Sequence, residues 1–413
     1  MKDQIIINLN DPGKLERLYR TNKTKFRNEF NALSQDLKEG TLANFWNERL
    51  NYQSDEIKWG EGKDLLFIII ASLCAGLIAK IPAFTGLEED FFYPRNIGFI
   101  IFPMLTAYFA WKNNISIRKI FIIIGTLLTG VIFINSLPNV PESDTLILAC
   151  VHLPVLLWGV LGFAFVSPNY KHLEKRLGFL KYNGDLLVIS ALICIAGGIL
   201  TGITIGLFSL LGISIEEFYF EYIVIFALPA VPILGTYLTQ TNPHLVGKVS
   251  PVIARIFSPL VLVMLVIYLV AMVYSGKDPY NDREFLLLFN ALLIGVMAII
   301  FFSLAGSSET QKSKPEIFIL ILLSIVTILV NGIALSAILF RISEWGITPN
   351  RIAVLGANLL ILINLILVTA KLLQATSNNS NPAGAENVIA RYLPIYIIWA
   401  IIVTFGFPLI FGI

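Results

Sequence analysis

The chain has few of the side chains that catalytic and metal-binding chemistry usually needs. It contains three cysteines and three histidines, and only 14% of its residues are charged. Cys74, Cys150 and Cys194 all fall in apolar runs, where they are typical of small hydrophobic packing residues and not of a disulfide or metal framework. No two histidines have metal-ligand spacing, and a net charge of +2 gives no nucleic-acid signature. We therefore expect no metal, no cofactor and no nucleic-acid partner.

Apolar sequence, by contrast, is abundant. Hydrophobic residues make up 56% of the 413 residues, which is too much for a water-soluble chain of this length. Eleven runs are long and apolar enough to cross a bilayer core of about 30 Å. They cover approximately residues 65–81, 97–111, 118–136, 146–167, 185–211, 221–239, 252–274, 285–305, 316–340, 351–373 and 392–412. The sequence predicts an all-α fold, with a cytoplasmic N-terminal helical segment at 1–63 and a polytopic transmembrane helix bundle at 64–413.

Basic residues in the short loops indicate the direction of the spans. Loops on the side of the N-terminus hold Lys112, Arg118, Lys119, Lys171, Lys175, Arg176, Lys181, Lys248, Arg255, Lys312, Lys314, Lys371 and Arg391, whereas the opposite loops hold only Lys80, Arg95, Lys277, Arg283, Arg341 and Arg351. Basic loops stay in the cytoplasm. The N-terminus is therefore predicted to be cytoplasmic, and the C-terminus, after an odd number of spans, to be outside.

Residues 11–38 have the pattern of an amphipathic helix that precedes the membrane. Asp11 stands at the N-cap position and Pro12 at the first helical position. The basic side chains are Lys14, Arg17, Arg20, Lys23, Lys25 and Arg27, and the apolar ones, at helical spacing, are Leu15, Leu18, Phe26, Phe30, Leu33 and Leu37. Such a helix either lies on an anionic leaflet or packs on the protein's own cytoplasmic parts, and the sequence favours neither.

The apolar runs contain no Asp, Glu, Lys or Arg away from their ends. Carriers driven by protons or sodium usually keep such a group inside, so ion coupling through buried side chains is not indicated. Amides do occur, at Asn290, Asn331, Asn358 and Asn364. Each needs a partner within hydrocarbon, which is either another helix or a polar groove that binds a substrate.

Two further patterns concern the shape and packing of the spans. Gly198, Gly202 and Gly206 form one stripe on the fifth span, which predicts close packing against another helix. Pro229 and Pro232 each remove a helical hydrogen bond from the sixth span, which predicts a kink or a break there.

The stretch RISEWGITPNR, residues 341–351, predicts a tight turn between two helices. Gly346 supplies the left-handed residue that ends the first helix. Thr348 caps the second helix and Pro349 takes its first position.

The same turn brings together two arginines and a glutamate. Arg341, Glu344 and Arg351 form either an arginine–glutamate clasp or, with the N–H groups at the start of the second helix, an anion site for a lipid phosphate. The partners we predict are accordingly the lipid bilayer and an anionic lipid or lipid phosphate, and no protein partner is indicated.

The segment GITPNR, with an arginine at the preceding helix end and a long apolar run after it, resembles the YGLTPNR-type segment of a family of bacterial polytopic membrane proteins known as domain of unknown function 4153. Trp345 stands where that family has tyrosine, and Ile347 where it has leucine. The resemblance covers residues 64–413. It implies a bacterial inner-membrane location and carries over no catalytic residues.

Three functions fit these features. The first is a carrier or flippase for a lipid-linked or amphipathic molecule, bound by the four asparagines and the charged turn. The second is a membrane scaffold or sensor. The basic N-terminal helix favours this function, as does the lack of a charged residue within the spans that could couple transport to an ion. The third and least supported is an intramembrane enzyme, because no HExxH, GxSxG or paired intramembrane aspartates occur.

Overall fold

The computed structural model describes residues 2–9, 11–21, 26, 29–30, 33, 45–46, 49, 62–140, 142–167, 172–210, 213–243, 249–275, 280, 283–305, 314–377 and 383–413. The chain forms two compact units, Met1–Ile57 and Lys58–Ile413. The predicted boundary, between residues 63 and 64, lies slightly after this division.

The first unit has a small core of its own. Its described helices include α1 (Lys2–Ile7) and α2 (Pro12–Thr21), and the Asp11 carboxylate accepts the predicted capping bond from the Lys14 amide at 3.1 Å. Six side chains pack together and are at most 3% exposed: Ile5, Leu15, Phe26, Phe30, Leu33 and Trp46. The apolar face of the predicted amphipathic helix therefore contacts protein, as far as it is described. Lys23, Lys25, Arg27 and Leu37 lie outside the described residues.

The second unit is helical throughout its described part, and no strand occurs there. Its helices are α3 (Gly62–Ala79), α4 (Ile81–Thr85), α5 (Glu89–Lys112), α6 (Ile117–Ser136), α7 (Asp144–Val166), α8 (Leu173–Leu210), α9 (Ile225–Thr241), α10 (Val249–Ser275), α11 (Arg283–Ala305), α12 (Lys314–Trp345), α13 (Pro349–Ser377) and α14 (Ala383–Ile401).

Within the described residues, eight helical segments are long and apolar enough to cross a membrane. They correspond to α3, α6, α7, α8, α9, α12, α13 and α14 with their extensions. Helices α5, α10 and α11 overlap the other three predicted spans, so the count of eleven stays a prediction. The outward faces are apolar as well: Ile199 and Ile203 of α8 are 61% and 55% exposed. A helix that is hydrophobic on all sides, yet not covered by protein, suits hydrocarbon and not water.

The helix ends lie at two ends of the bundle. We call the end at which α3 begins the lower end and the opposite one the upper end. Lys112, the last residue of α5, bonds to Asp64 in the first turn of α3 at 2.8 Å. Asn113 donates to the carbonyls of Ala164 and Phe165, near the last residue of α7, at 3.0 Å each. Helices α5 and α7 therefore end at the lower end, and α8 begins there.

Two large hydrophobic cores hold the second unit together. The first core combines residues of α3, α5, α6, α7, α8 and α9, and the second core combines residues of α10, α11, α12, α13 and α14 with Leu180 of α8. Trp158 of α7 packs against both cores. The seam between the two cores therefore runs along α7, α8 and α14.

Pro229 and Pro232 lie inside α9, which continues without interruption to Thr241. The helix is therefore not broken at these prolines, and the kink stays a prediction. The backbone departs from α-helical geometry before the prolines, where a π-helical segment, Tyr219–Val224, leads directly into α9. A second π-helical segment, Ile402–Gly406, follows α14.

Candidate functional site

The turn at 341–351 has the predicted backbone. Gly346 adopts a φ of +77°, and the Thr348 hydroxyl accepts a bond from the Arg351 amide at 3.3 Å. Helix α13 begins at Pro349. These features confirm the predicted turn. It could be predicted because every contact that defines it joins residues close together in the sequence.

The arginines of this turn bind carbonyl oxygens and not the glutamate. Arg351 Nη1 donates to the carbonyls of Trp345 and Gly346 at 2.9 and 2.6 Å, and Arg341 Nε donates to the Tyr280 carbonyl at 2.8 Å. Both guanidinium groups lie within 6 Å of the Trp345 ring centre, at 5.4 and 5.7 Å. Arg351 thus satisfies the orphan carbonyls at the end of α12.

Glu344 forms no ion pair with either arginine in the described part of the chain. The arginine–glutamate clasp is therefore not formed among the described residues: Arg351 binds the carbonyls at the end of α12, and Arg341 binds the carbonyl of Tyr280, which is not in a helix. The anion-site interpretation of Arg341, Glu344 and Arg351 stays a prediction.

Three of the predicted asparagines form one network across three helices. Asn358 Nδ2 donates to Asn290 Oδ1 at 2.7 Å, and Asn331 Nδ2 donates to the Asn358 carbonyl at 3.2 Å. Asn331 and Asn358 are at most 1% exposed. The network links α11, α12 and α13, as interhelical hydrogen bonds in hydrocarbon do.

Asn364 makes a separate link between α13 and α14. Its Nδ2 donates to the Tyr396 hydroxyl at 3.0 Å, and the residue is fully buried. The amide oxygens of Asn331 and Asn364 are buried without a hydrogen-bond partner in the structure. None of the four asparagines lines the cavity described below.

The glycine stripe of α8 contacts no other part of the described chain. A Cβ placed on Gly198, Gly202 or Gly206 would meet nothing within 4 Å. The predicted packing against another helix of the chain is therefore not present there, because this half of α8 faces outward. Close approach occurs instead at Gly76 and Gly356, where an added Cβ would clash with the rings of Phe226 and Trp399.

A cavity of about 340 Å³ lies between α7, α8 and α14, toward the lower end. Its wall consists of Trp158, Gly159, Gly162, Phe163, Val166, Arg176, Phe179, Leu393, Pro394, Ile397 and Ile398. Small-molecule pockets span roughly 300–1,000 Å³, and an apolar cavity of about 150 Å³ holds one benzene. The cavity therefore has room for a segment of one hydrocarbon chain.

Two glycines of α7 lie in the cavity wall. A Cβ on Gly159 would lie 2.8 Å from Ile397 Cδ1, and a Cβ on Gly162 would lie 3.0 Å from Phe179 Cε1. The glycines are three residues apart and share a helix face, so side chains of α14 and α8 pack directly against the backbone of α7 there. A larger residue at either position would displace Ile397 or Phe179 and so change the cavity wall.

The cavity reaches the outer surface of the bundle. Ile398, which lines it, is 55% exposed. Because the exposed surface at this level is apolar, the opening faces hydrocarbon if the bundle lies in a bilayer. Entry is then from the side, between α7 and α14.

Charge is confined to one end of the cavity. Arg176 lies in the first turn of α8, and its Nη1 donates to the Ala390 carbonyl of α14 at 3.1 Å. The indole N–H of Trp158 donates to Asn183 Oδ1 at 2.9 Å and ties α7 to α8. The described wall of the cavity is thus apolar along its length and carries the Arg176 guanidinium at its lower end.

The cavity also lies on the seam between the two cores. Val166 and Phe179 belong to the first core, Leu393 belongs to the second, and Trp158 packs against both. Pockets are often found at such boundaries between packed units.

Sequence reasoning missed that several charged groups near helix ends are buried, and three of them are Arg95, Asp64 and Lys80. Arg95 of α5 is 3% exposed and donates to the carbonyls of Ile134, Leu137 and Pro138 at 2.6 to 3.2 Å. Asp64, 5% exposed, pairs with Lys112.

Lys80, which follows α3, is the third. It is 4% exposed, donates to the Glu221 carbonyl at 3.1 Å and lies 3.2 Å from the Tyr222 ring centre. This contact joins α3 to the π-helical segment Tyr219–Val224, at the upper end.

No protein family, curated protein or solved structure matches this chain. The likeness of GITPNR to domain of unknown function 4153 therefore stays a prediction.

Proposed function

We propose that this protein is an integral membrane carrier or flippase for an amphipathic, lipid-like molecule, which enters the cavity between α7, α8 and α14 from the bilayer. The observation that supports this function is the cavity itself: its described wall is apolar apart from Arg176, includes Gly159 and Gly162, and reaches the outer apolar surface at Ile398. A water-soluble solute would find almost no hydrogen-bonding groups there.

The position of the cavity also suits transport. Carriers commonly bind their substrate between two packed bodies that rock against each other, so that the site opens first to one side and then to the other. Here the seam between the first core and the second core supplies such a boundary, and the cavity lies on it.

The proposal includes an orientation and a location. The lower end lies at the cytoplasmic face of a bacterial inner membrane, with the N-terminus inside and, after eleven spans, the C-terminus outside. The basic loops support this orientation. The molecule that is carried would then enter near the cytoplasmic leaflet.

Substitutions that fill or reshape the cavity should slow the movement of lipid between the leaflets. We expect vesicles containing the protein to equilibrate a fluorescent single-chain phosphate lipid between leaflets faster than protein-free vesicles. Gly162→Leu and Ile398→Trp should each slow this about tenfold, because losing one buried chain contact of about 1.5–3 kcal/mol weakens binding by that order. Chemical quenching of the outer-leaflet dye measures the rate.

Matched substitutions away from the cavity provide the control. Gly125 of α6 has nothing within 4 Å of an added Cβ, and Ile395 of α14 is 39% exposed and does not line the cavity. Gly125→Leu and Ile395→Trp should leave the rate within about twofold of the wild type. Equal rates for all four variants would exclude the cavity as the carrier site.

The second candidate function is a membrane scaffold or sensor. The observation in its favour is the first unit, which has a core of its own and charged side chains outside it. Glu16 accepts bonds from Arg20 at 2.9 Å and pairs with Arg49 at 3.1 Å, and the Arg20 bond lowers the pKa of Glu16. If no variant or wild-type protein moved lipid, and chemical cross-linking in cells captured one protein through residues 11–21, this function would be preferred.

A further inference from the structure

We infer that the π-helical segment Tyr219–Val224 is a two-state switch of helix register at the upper end, and that Lys80 holds it in the π register. By register we mean which residues lie at each level of the helix. In the second state the same residues form an α-helix, and the helical turn Glu216–Phe218 before them is rotated about the helix axis. None of these residues lines the cavity, so the inference does not depend on the proposed function.

The backbone of the segment contains one residue more in its hydrogen-bonded turn than an α-helix does. The Ile225 amide donates to the carbonyl of Phe220, five residues earlier, whereas an α-helix bonds to the fourth. The apolar helical segment is continuous over Glu216–Thr241. The π turn therefore acts as a one-residue insertion within a helix, and its loss would turn the residues before it by about 100°, the angle of one α-helical residue.

Two contacts between α3 and this helix lie one helical turn apart. Gly76 packs so closely against the ring of Phe226, the second residue of α9, that an added Cβ would clash with it. The Lys80 amide bonds to the Gly76 carbonyl, which places Lys80 one turn further along. There the Lys80 ammonium lies 3.1 Å from the Glu221 carbonyl, 3.4 Å from a carboxylate oxygen of Glu221 and 3.2 Å from the centre of the Tyr222 ring.

The register determines which residues reach Lys80. Counting back from Phe226, one α-helical turn of about 3.6 residues ends between Tyr222 and Ile223. A π turn takes in a further residue and ends between Glu221 and Tyr222, which are the two observed partners. The α register would place the Ile223 side chain beside the ammonium group and carry Glu221 away from it. Because a buried cation needs polar or aromatic partners, Lys80 favours the π register.

Burial makes this preference depend on the protein and not on water. Lys80 is only 4% exposed, so water cannot replace a partner that is lost. The ring of Tyr222 also stacks on that of Phe218, with the ring centres 5.1 Å apart. The contact with Lys80 therefore positions the turn Glu216–Phe218 as well, and withdrawing Lys80 from its partners would release that turn.

Spin-label distance measurements on the full-length protein in nanodiscs test the switch. The labels are attached through Phe84→Cys and Glu217→Cys, both at exposed positions, with the three native cysteines replaced by alanine. The wild-type side chains at the switch should give one distance. In a turn of about 100°, a side chain about 5 Å from the helix axis moves by up to about 8 Å, so the second state should give a distinct distance.

Lys80→Met keeps an unbranched side chain and removes its charge. It should raise the fraction of molecules at the second distance about tenfold, because a charge-assisted bond and a desolvated cation–π contact together contribute at least that factor. Lys80→Arg retains a cation and should keep the single distance. Lys63→Met is the matched control at the other end of α3, where Lys63 is exposed, and it should also keep the single distance.

Deleting Ile223 links the change to the extra residue. The deletion makes the helix α-helical without moving the residues before it, since the one-residue insertion is removed. Lys80→Met combined with this deletion should therefore keep the wild-type distance. If Lys80→Met shifts the distance equally with and without Ile223, the change does not depend on the π turn and the inference is wrong.

A further variant leaves Lys80 in place, so the test does not depend on how Lys80→Met folds. Ile223 is 44% exposed, and Ile223→Glu offers Lys80 a carboxylate in the α register. This variant should also populate the second distance. A single wild-type distance in both Lys80→Met and Ile223→Glu would overturn the inference.

Discussion

Gly346 and Gly332 belong to the same helical hairpin, but they differ in how much the backbone depends on glycine. Gly346 adopts a φ of +77°, where a Cβ is strained. Gly332 lies within α12, and a Cβ added there meets nothing within 4 Å. The sequence predicted the role of Gly346, because Thr348 and Pro349 mark the start of the next helix directly after it.

Alanine substitutions should therefore have opposite effects at these two positions. Gly346→Ala should cost about 1–2 kcal/mol of stability, the penalty of a left-handed L-residue. Gly332→Ala should be neutral or should stabilise by up to about 1 kcal/mol, since glycine is a poor helix former. Thermal unfolding in detergent gives the two midpoints, and a larger loss for Gly332→Ala would refute this account of the turn.

Residues with distant partners could not be predicted in the same way. The sequence shows Arg95 at the edge of an apolar run, but its bonding partners are carbonyls about forty residues later, at the end of α6. Glu344 was expected to pair within its own turn, yet the nearby arginines bind carbonyls instead. The spacing of residues along the sequence shows which charged side chains lie near a turn. It does not show which acceptor each side chain binds.

At the scale of helices, the buried amides were predicted to lie against protein or in a groove, and the structure favours contact with neighbouring helices. Asn290, Asn331 and Asn358 link three helices, and Asn364 links α13 to α14. The glycine stripe of α8 has no helix packed against it within the described chain. In hydrocarbon, small residues on an apolar face are compatible with lipid contact as well as with helix contact, so the pattern does not distinguish the two.

The Asn290–Asn358 bond can be measured with a double-mutant cycle. We expect Asn290→Ala and Asn358→Ala to be coupled by about 0.6 kcal/mol, and by no more than about 1.7 kcal/mol, the range found for hydrogen bonds between membrane helices. Reversible unfolding in detergent gives the four free energies that the cycle needs.

The control cycle combines Asn290→Ala with Asn364→Ala. Asn364 donates to Tyr396 and not to the network, so these two changes should be additive within about 0.5 kcal/mol. Additivity in the first cycle, or coupling of the same size in the second, would show that the network is not what joins α11 to α13.

At the scale of the whole molecule, the sequence predicted an all-helical, multi-pass protein because hydrocarbon imposes that pattern on every span. The cavity could not be predicted from the sequence. Its wall combines α7 and α8 with α14, which lies more than two hundred positions later in the chain, and the periodicity of the sequence does not show that these helices meet. One sequence feature does point to the cavity: in α7 the large side chain of Trp158 lies next to two glycines, Gly159 and Gly162, which have no side chain.

The central claim is that a lipid occupies the cavity on the seam between the two cores. Electron cryo-microscopy of the full-length protein in nanodiscs that contain a single-chain phosphate lipid tests it most directly. We predict elongated density inside the cavity, between the lining residues of α7 and α14. A cavity closed by Phe179, or density confined to the outer surface of α8, would contradict the account.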